Sequence, residues 1–302
     1  MASPKTSMSG FPYPSVTLTP VALKDLDLTG RKLVIIGGTD GLGRALAQAA
    51  LGRGAEVTVV GRTFRDEPRA NLRFVKADLS SMAEAVRLAA TVPLDGVDTV
   101  LLTAGIMAAK TREVTAEGIE RDMAVSYLSR LAALRTLVPR LEAGASKRPR
   151  IFVMGFPGAG NAGDAADLNA ERSYDAFGVH MNTVAGNEML VLDGRDRHPR
   201  VGFYGLNPGL IKTAIRANYL GDGSVMHRVA EFFIGLFMPS ASTYAARILP
   251  VLFAPELDGR SGVMIGAKGK PILPTEGMTA ERIAEFLTGS QALVDRGIAA
   301  SA

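Results

Sequence analysis

The chain alternates between short apolar runs and longer segments whose apolar residues recur every three or four positions. The short runs are rich in β-branched residues and predict buried strands at Leu33–Ile36, Val57–Val60, Leu72–Val75, Val97–Leu102, Ile151–Met154, Val201–Leu206 and Gly262–Ile265. The periodic segments between them predict helices at Leu42–Leu51, Ser81–Ala90, Thr115–Leu141 and Met181–Leu192.

Strictly alternating strands and helices indicate a parallel sheet, because parallel strands need crossover connections that cover both faces of the sheet. We therefore expect one α/β domain over residues 29–302, built as a Rossmann-type, doubly wound, seven-stranded parallel sheet. No internal repeat and no Pro/Gly linker divides it.

Two segments lie outside this alternation. Residues 1–28 are rich in Pro, Ser and Thr, and we expect them to wrap over the surface as an N-terminal extension. Residues 214–250 form an apolar excursion between the last two predicted strands. An insertion at this place in an open α/β sheet lies over the ligand crevice, so it is either a substrate lid or an ordinary packed helical hairpin.

Composition narrows the class of protein without naming a function. Of the 302 residues, 47% are hydrophobic and 21% are charged, which is typical of a soluble protein with a large core. The net charge of +4 is not clustered, and aromatic residues make up only 6%, so a nucleic-acid partner is not indicated. The absence of cysteine excludes disulfides and thiolate catalysis and suits a reducing cytoplasm. We therefore expect a soluble cytoplasmic protein with neither a secretion signal nor a membrane span.

A glycine-rich turn joins the first predicted strand to the first predicted helix. Gly37, Gly41 and Gly43 let the backbone turn tightly and approach a pyrophosphate at a helix N-terminus. The strand before the turn and the helix after it are the context that this motif requires, and they favour a nucleotide site over a structural turn.

The end of the second predicted strand bears on which nucleotide is bound. NAD sites place an acid there for the ribose 2′-hydroxyl, whereas a 2′-phosphate needs cations. Here Arg62 follows the strand, no acid occupies its end, and Arg44 follows the last glycine of the loop. Two arginines can clamp a phosphate, although either could be a solvated surface charge. The pair predicts NADP(H) in preference to NAD(H).

With this loop in place, the chain from about residue 29 onward resembles the short-chain dehydrogenase/reductase family. The family's Asp after the third strand matches Asp78-Leu79, its Asn-Ala-Gly after the fourth strand matches Thr103-Ala104-Gly105, and its Pro-Gly-x-x-x-Thr matches Pro208 to Thr213. The resemblance implies cofactor contacts from Gly37, Thr39, Asp40, Gly41, Leu42, Gly43, Arg44, Arg62, Asp78, Leu79, Thr103, Ala104, Gly105, Pro208, Gly209, Ile211 and Thr213.

The catalytic part of the family pattern is missing. The family uses an Asn on the long helix, a Ser after the fifth strand and a Tyr-x-x-x-Lys on the next helix. The positions four residues after the six tyrosines of this chain hold Thr17, Leu131, Gly178, Pro208, Gly223 and Ile248. No Tyr-x-x-x-Lys is present.

An ungapped comparison locates the replacements, because residues 167–187 resemble a longer-loop branch of the family. His180 stands where the Tyr belongs and Val184 where the Lys belongs. The Ser position falls on Phe156 and the Asn position on Ser126, whereas Asn187, which this branch also carries, is kept.

These substitutions leave three candidate catalytic residues. His180 is the side chain best suited to proton transfer near neutral pH, although it could equally be a partly buried polar residue. Tyr174, on the preceding loop, is the second candidate proton donor, with packing as its alternative role, and Ser126 keeps hydrogen-bonding capacity at the Asn position. One histidine with no acid cluster or second histidine beside it makes a poor metal site, so no metal is predicted.

Three functions remain open. The first is an NADP(H)-dependent oxidoreductase acting on a small apolar substrate, and the second is a non-redox isomerase, cyclase or dehydratase that uses His180. The third is a non-catalytic NADP-binding protein. Phe156, Phe232, Phe233, Phe237 and Met238 suggest an apolar pocket, and each is equally natural in a core. The resemblance also implies a homodimer paired through the two long helices.

Overall fold

The computed structural model describes residues 10–144, 148–209 and 239–301, and in them strands and helices alternate as the pattern predicts. The strands are β1 (Lys32–Ile36), β2 (Glu56–Gly61), β3 (Leu72–Lys76), β4 (Thr99–Leu102), β5 (Arg150–Met154), β6 (Gly202–Leu206), β7 (Met264–Ile265) and β8 (Pro271–Ile272). The helices are α1 (Gly41–Leu51), α2 (Met82–Thr91), α3 (Arg121–Met123), α4 (Ser129–Gly144), α5 (Ala176–Arg197), α6 (Ala241–Leu252) and α7 (Ala280–Ala300), with a π-helical turn at Ala124–Leu128 between α3 and α4.

All the strands lie in one sheet, in the order β3-β2-β1-β4-β5-β6-β7-β8. Every neighbouring pair from β3 to β7 is parallel, which confirms the Rossmann-type architecture. The eighth strand, β8, pairs antiparallel with β7 and has only two residues, too few to show an alternation in the sequence. The chain order reverses between β1 and β4, so the ends of these two strands border the ligand crevice.

Two apolar layers cover the sheet. On one face α2, α4, α5 and α7 pack against the strands. The fully buried side chains of this layer include Tyr127, Phe286 and, from β6, Phe203. The other face is covered by α1, α6 and the segment before β1, around Leu46 and the stacked rings of Phe152 and Tyr204, whose centroids are 5.0 Å apart.

The long helix predicted from Thr115 begins later than its apolar stripe suggests. Residues 115–120 form a turn in which the Thr115 amide donates to the carbonyl of Ile119, and Gly118 has a φ of +73°. Ile119 is fully buried, so it belongs to the apolar stripe although it is not helical. The helical segment then starts at Arg121 and widens into the π-helical turn around Ser126.

The apolar excursion is described only at its C-terminal end. Residues 241–252 form α6, whose Tyr244, Ile248 and Leu249 are buried against the side of the sheet that α1 covers. This end is therefore core. The rest of the predicted lid, including Phe232, Phe233, Phe237 and Met238, lies outside the described residues.

The described part of the N-terminal segment lies along β8. The Tyr13 amide donates to the carbonyl of Pro271, and the Leu273 amide donates to the carbonyl of Phe11. Further along, Leu26 and Leu28 are buried beside α1. Among the helices described, none combines the length and the apolar character that crossing a bilayer requires.

Candidate active site

The glycine-rich turn presses the start of α1 against the end of β4. A Cβ at Gly37 would collide with the backbone nitrogen of Ala104, and Gly37 has a φ of +95°. A Cβ at Gly43 would collide with the carbonyl oxygen of Gly37 and with the Thr103 hydroxyl. Glycine is therefore required at both positions for the turn to close.

Gly41 faces the opposite way, toward open space. Its φ is +52°, and a Cβ placed there would have no neighbour within 4 Å. Because the first amides of a helix lack intrahelical partners, the start of α1 offers donors and a positive dipole end to an anion. This backbone cradle fits the pyrophosphate of a dinucleotide.

Asp40 and Thr39 complete the turn. Asp40 caps α1, since its side chain accepts a hydrogen bond of 2.8 Å from the Gly41 amide. Thr39 is buried, and its side chain lies where a Cβ at Gly61 would stand. The cap places a carboxylate at the mouth of the cradle, and Arg65 lies 3.5 Å from it.

The two arginines expected to clamp a 2′-phosphate differ in their surroundings. Arg44 is bound to the nearly buried Asp66, with N–O distances of 2.7 and 2.9 Å, and the hydrogen bond that Arg44 donates to Asp66 raises the Arg44 pKa. Arg62 is exposed at the end of β2 and has no ion pair with any residue that the structure describes. The sequence interpretation of Arg44 as a free clamp therefore needs correction, because Asp66 lies five residues beyond β2, further than the strand end that we considered.

The other predicted cofactor residues lie around the same crevice. Thr103 ties the ends of β1 and β4 together through a 3.1 Å bond to the Ile36 carbonyl. Asp78 bonds the amide and the hydroxyl of Ser80 and so shapes its own turn, while Leu79 is buried. Leu42 is half-buried in the first turn of α1.

The predicted cofactor residues that follow β4 and β6 are only partly described. Ala104 and Gly105 continue the end of β4, and Pro208 and Gly209 follow β6. Ile211 and Thr213 lie outside the described residues.

His180 has an acidic partner that the sequence interpretation missed. Its Nδ1 lies 2.7 Å from Oδ2 of Asp122, whose side chain is 0% exposed, whereas 26% of the His180 side chain is exposed. No described residue bonds Nε2 of His180. A buried carboxylate on Nδ1 fixes the orientation of the ring and leaves Nε2 for proton transfer.

Ser126 joins the same group through the other oxygen of Asp122. Its hydroxyl donates to Oδ1 of Asp122 at 2.5 Å and accepts from the Ile106 amide at 2.9 Å. Ser126 lies in the π-helical turn, a local widening that is frequent at functional sites. Asp122 precedes Ser126 by four residues on a predicted helix, and this spacing is the sequence signal that could have found it.

Behind this group lies a buried cation, Arg130, which is 4% exposed. Its guanidinium donates to the carbonyls of Ala104 and Met154 and to Oδ1 of Asn187. Asn187 in turn donates to the Ser126 carbonyl at 2.9 Å. Arg130 therefore connects the ends of β4 and β5 with α5.

The other two positions carried over from the family hold apolar side chains. Val184, at the Lys position, is buried, and Phe156, at the Ser position, is half-buried beyond β5. Neither side chain can donate a hydrogen bond or carry charge.

Tyr174 is placed unfavourably for proton donation. Its hydroxyl donates to the Ala109 carbonyl at 2.5 Å, and burial raises the Tyr174 pKa to about 12. This bond fastens the loop before α5 to the loop after β4. The geometry thus favours the packing role over the catalytic one.

Two more buried acids flank the group. Burial raises the pKa of Glu120, although the Met123 amide donates to its carboxyl at 2.8 Å. Burial also raises the pKa of Glu188, which accepts bonds from the Gly158 amide and from both the amide and the hydroxyl of Thr275.

Beside Asp122 lies a small cavity of about 80 Å³ under the loop that follows Gly105. Its walls are Ile106 to Ala109, Asp122 and the ion pair of Glu113 with Arg121. Among residues 10–144, 148–209 and 239–301, no three His, Asp or Glu side chains cluster in a way that could hold a metal.

Comparison with known proteins gives this geometry its context. Residues 31–155 match the family model of the short chain dehydrogenases. An uncharacterized oxidoreductase of Saccharomyces cerevisiae is 42% identical over 292 residues, which cover 94% of each chain. A 3-ketodihydrosphingosine reductase of Yarrowia lipolytica is 31% identical over 158 residues, covering 45% of this chain and 42% of the reductase.

A solved structure agrees on the fold. A short chain dehydrogenase of Shigella flexneri, complexed with NADP, superposes with a TM-score of 0.57 at 16% identity. The match covers 80% of this chain and 98% of that one.

Proposed function

Because the chain belongs to the short-chain dehydrogenase/reductase family of oxidoreductases, we propose that it transfers a hydride between NADP(H) and a small apolar substrate, with His180 giving or taking the accompanying proton. The observation that carries this proposal is the contact of His180 with the buried Asp122, which leaves Nε2 of the ring without a protein partner among the described residues.

His180 supplies the proton transfer that the family assigns to Tyr. Asp122 holds Nδ1 and stabilises the ring when it is protonated, so Nε2 can donate to a carbonyl oxygen in the reducing direction. In the oxidising direction the neutral ring accepts the hydroxyl proton at the same atom. NADP(H), when bound, supplies or accepts the hydride.

Ser126 and its neighbours hold this group in place. The Ser126 hydroxyl fixes the second oxygen of Asp122, and the Ile106 amide fixes the hydroxyl in turn. Positioning through packed side chains and hydrogen bonds keeps the His180 ring in one orientation, which proton transfer requires.

The preference for NADP(H) is supported chiefly by Arg62. It is exposed at the end of β2 and unpaired among the described residues, so its guanidinium can bind a 2′-phosphate without breaking an ion pair. Arg44, in the first turn of α1, adds positive charge that its ion pair with Asp66 largely offsets.

An apolar substrate is supported by what replaces the family's polar side chains. Phe156 and Val184 present hydrocarbon where the family has Ser and Lys, and Ala108 is buried in the loop beyond β4. Such walls exclude water and favour an apolar group next to His180.

The test is a coupled assay with two readouts. We expect NADPH to bind more tightly than NADH in calorimetric titrations, and we expect NADPH to be consumed in equal amount to the alcohol formed from a panel of apolar aldehydes and ketones. Product formed without any change in NADPH would instead support a non-redox isomerase, cyclase or dehydratase. Nucleotide binding without turnover of any redox or isomerisation substrate would support a non-catalytic NADP-binding protein.

A further inference from the structure

Two opposite charges are buried in the helical segment that carries the candidate site. Asp122 is 0% exposed and Arg130, eight residues later, is 4% exposed. They form no direct ion pair, since the Nη atoms of Arg130 donate only to neutral oxygens, and its Nε has no hydrogen-bond partner. The usual reason for burying an arginine, a carboxylate in contact, therefore does not apply.

Arg130 nevertheless lies close to Ser126, whose hydroxyl bonds Asp122. A Cβ built at Gly105 would be 3.5 Å from the Ser126 hydroxyl oxygen and 3.8 Å from Nη2 of Arg130, so both atoms face the same point. The Ser126 hydroxyl bonds Asp122, and Asn187 links Arg130 to the Ser126 carbonyl. Burial lowers the Arg130 pKa, the negative field of Asp122 raises it in part, and the resulting pKa is about 9.

A buried carboxylate is costly unless a positive charge compensates it. Two groups could supply that charge to Asp122, namely a protonated His180 or Arg130. The acidic and phenolic groups near the site carry no positive charge. Burial raises the pKa of Glu120 and of Tyr174, and Asp175 caps α5 through the Gly178 amide.

Three further cations near the loop beyond β4 do not neutralise Asp122. Arg112 donates to the Asn169 carbonyl at 3.0 Å, and Arg121 pairs with Glu113 at 2.5 Å. Lys110 is exposed to solvent, which screens its charge. Arg130 is thus the buried cation closest in the hydrogen-bond network to Asp122.

We propose, on the basis of the proposed function, that Arg130 is the counter-charge of Asp122 and so leaves His180 neutral at rest, with its Nδ1 proton donated to Asp122 and its Nε2 lone pair facing the crevice. Arg130 is then a positioning residue, because it acts on the substrate only through the charge state of His180.

This arrangement prepares the site to take protons, which suits an alcohol as the substrate. The O–H bond of the alcohol would break and its proton would move to Nε2 of His180, while NADP⁺, when bound, would accept the hydride from the carbon that bears the hydroxyl. The alcohol would be oxidised to a carbonyl compound as NADP⁺ is reduced to NADPH, so electrons and protons balance.

The test is a nuclear magnetic resonance titration of histidine-labelled protein without nucleotide, with His180→Gln assigning the signal. In Arg130→Met, which removes the charge and keeps the apolar bulk, we expect the His180 titration to move up by about one pH unit or more. Arg130→Lys keeps the charge and should leave it near its original position. His198, on the far end of α5 beside Glu142, serves as the internal reference.

The double variant Arg130→Met/Asp122→Asn removes both charges and should bring the His180 titration back toward the original one. An unchanged titration in folded Arg130→Met, or a double variant that titrates like Arg130→Met, would overturn the proposal. If Arg130→Met does not fold, Asp122→Asn is compared with the double variant, and we expect the double variant to titrate at higher pH. Equal His180 titrations in Asp122→Asn and in the double variant would also overturn the proposal.

Because this titration uses no cofactor and no substrate, its outcome is separate from that of the proposed function. Failure to consume NADPH would refute the oxidoreductase assignment while the His180 titration still reported on Arg130. Conversely, NADPH turnover with an unshifted titration would leave the proposed function standing without this role for Arg130.

Discussion

The crevice has two parts that differ in their buried polar groups: the nucleotide half, in residues 31–105, and the proposed catalytic half, in the described residues after 105. In residues 31–105, which surround the glycine-rich turn, the buried polar residues are Thr39 and Thr99, and none is charged. In the described residues after 105, the buried charged side chains are Glu117, Glu120, Asp122, Arg130 and Glu188. The first half presents backbone amides to an anion, and the second half holds ionisable side chains in a dry network.

This difference shows which half can tolerate which kind of change. The nucleotide half depends on close backbone approach, so added volume disrupts it and loss of a surface charge only weakens it. The catalytic half depends on the balance of buried charges, so substitutions of equal volume that change charge disrupt it.

The largest effect is expected from a methyl-bearing side chain in the nucleotide half. In Gly43→Val the added atoms collide with the Gly37 carbonyl and the Thr103 hydroxyl, so the cradle cannot close. We expect calorimetry to detect no NADPH binding. Gly52→Ala, at the other end of α1, is the matched control and should bind normally, because its Cβ would lie 3.4 Å from the nearest atom. Equal binding by both variants would contradict a steric role for Gly43.

The next effect separates charge from volume in the catalytic half. Asp122→Asn keeps the shape but removes the carboxylate that orients His180, and we expect turnover to fall about 10²-fold or more at unchanged NADPH affinity. Asp193→Asn, which removes a half-buried carboxylate paired with Arg197 on α5, should leave turnover unchanged. A rate equal to that of the unmodified protein would show that Asp122 has no part in proton transfer.

A smaller effect is expected from the surface cation of the nucleotide half. Arg62→Ala removes one charge-assisted contact to the 2′-phosphate, which corresponds to a loss of about 10-fold or more in NADPH affinity. NADH affinity should stay the same. Arg73→Ala, which removes an exposed arginine from β3, changes the net charge equally and should affect neither nucleotide. Parallel losses for NADPH and NADH would refute recognition of the 2′-phosphate.

The smallest effect concerns stability and comes from the catalytic half. Burial raises the Glu188 pKa above its ordinary value of 4.5, so the stability that its protonated form contributes is present below that value and is lost as pH rises through the raised pKa. Gln cannot ionise and does not lose this contribution. As pH rises from 4.5 through the raised Glu188 pKa, the melting temperature of Glu188→Gln should therefore increase by a few degrees relative to that of the unmodified protein. Exposed Glu285→Gln should show no such trend. A difference that stays constant with pH would contradict the sign of the shift.

The sequence predicted the strand, turn and helix of the glycine-rich region because the signals for these elements are local. The glycine spacing, the preceding strand and the following helix all lie within about twenty residues, and the structure places them at the reversal of strand order. Even there Asp66 was missed, since its contact with Arg44 depends on the path of the loop after β2.

The catalytic half could be predicted only in part. Matching positions gave His180 and Ser126 as candidates, but Asp122 lies 58 residues before His180 and contacts it only through tertiary packing. The apolar stripe gave the long helix, whereas its later start and the π-helical turn follow from local hydrogen bonds that periodicity does not encode. The burial of Arg130 likewise became visible only when β4, β5 and α5 came together.

The most direct test of the central claim, that His180 performs the proton transfer in place of the family's Tyr, is the turnover rate of His180→Ala at saturating NADPH. The account predicts a rate about 10²-fold or more below that of the unmodified protein, with NADPH affinity unchanged, and an unaffected rate for His198→Ala. A His180→Ala rate equal to that of the unmodified protein would contradict it.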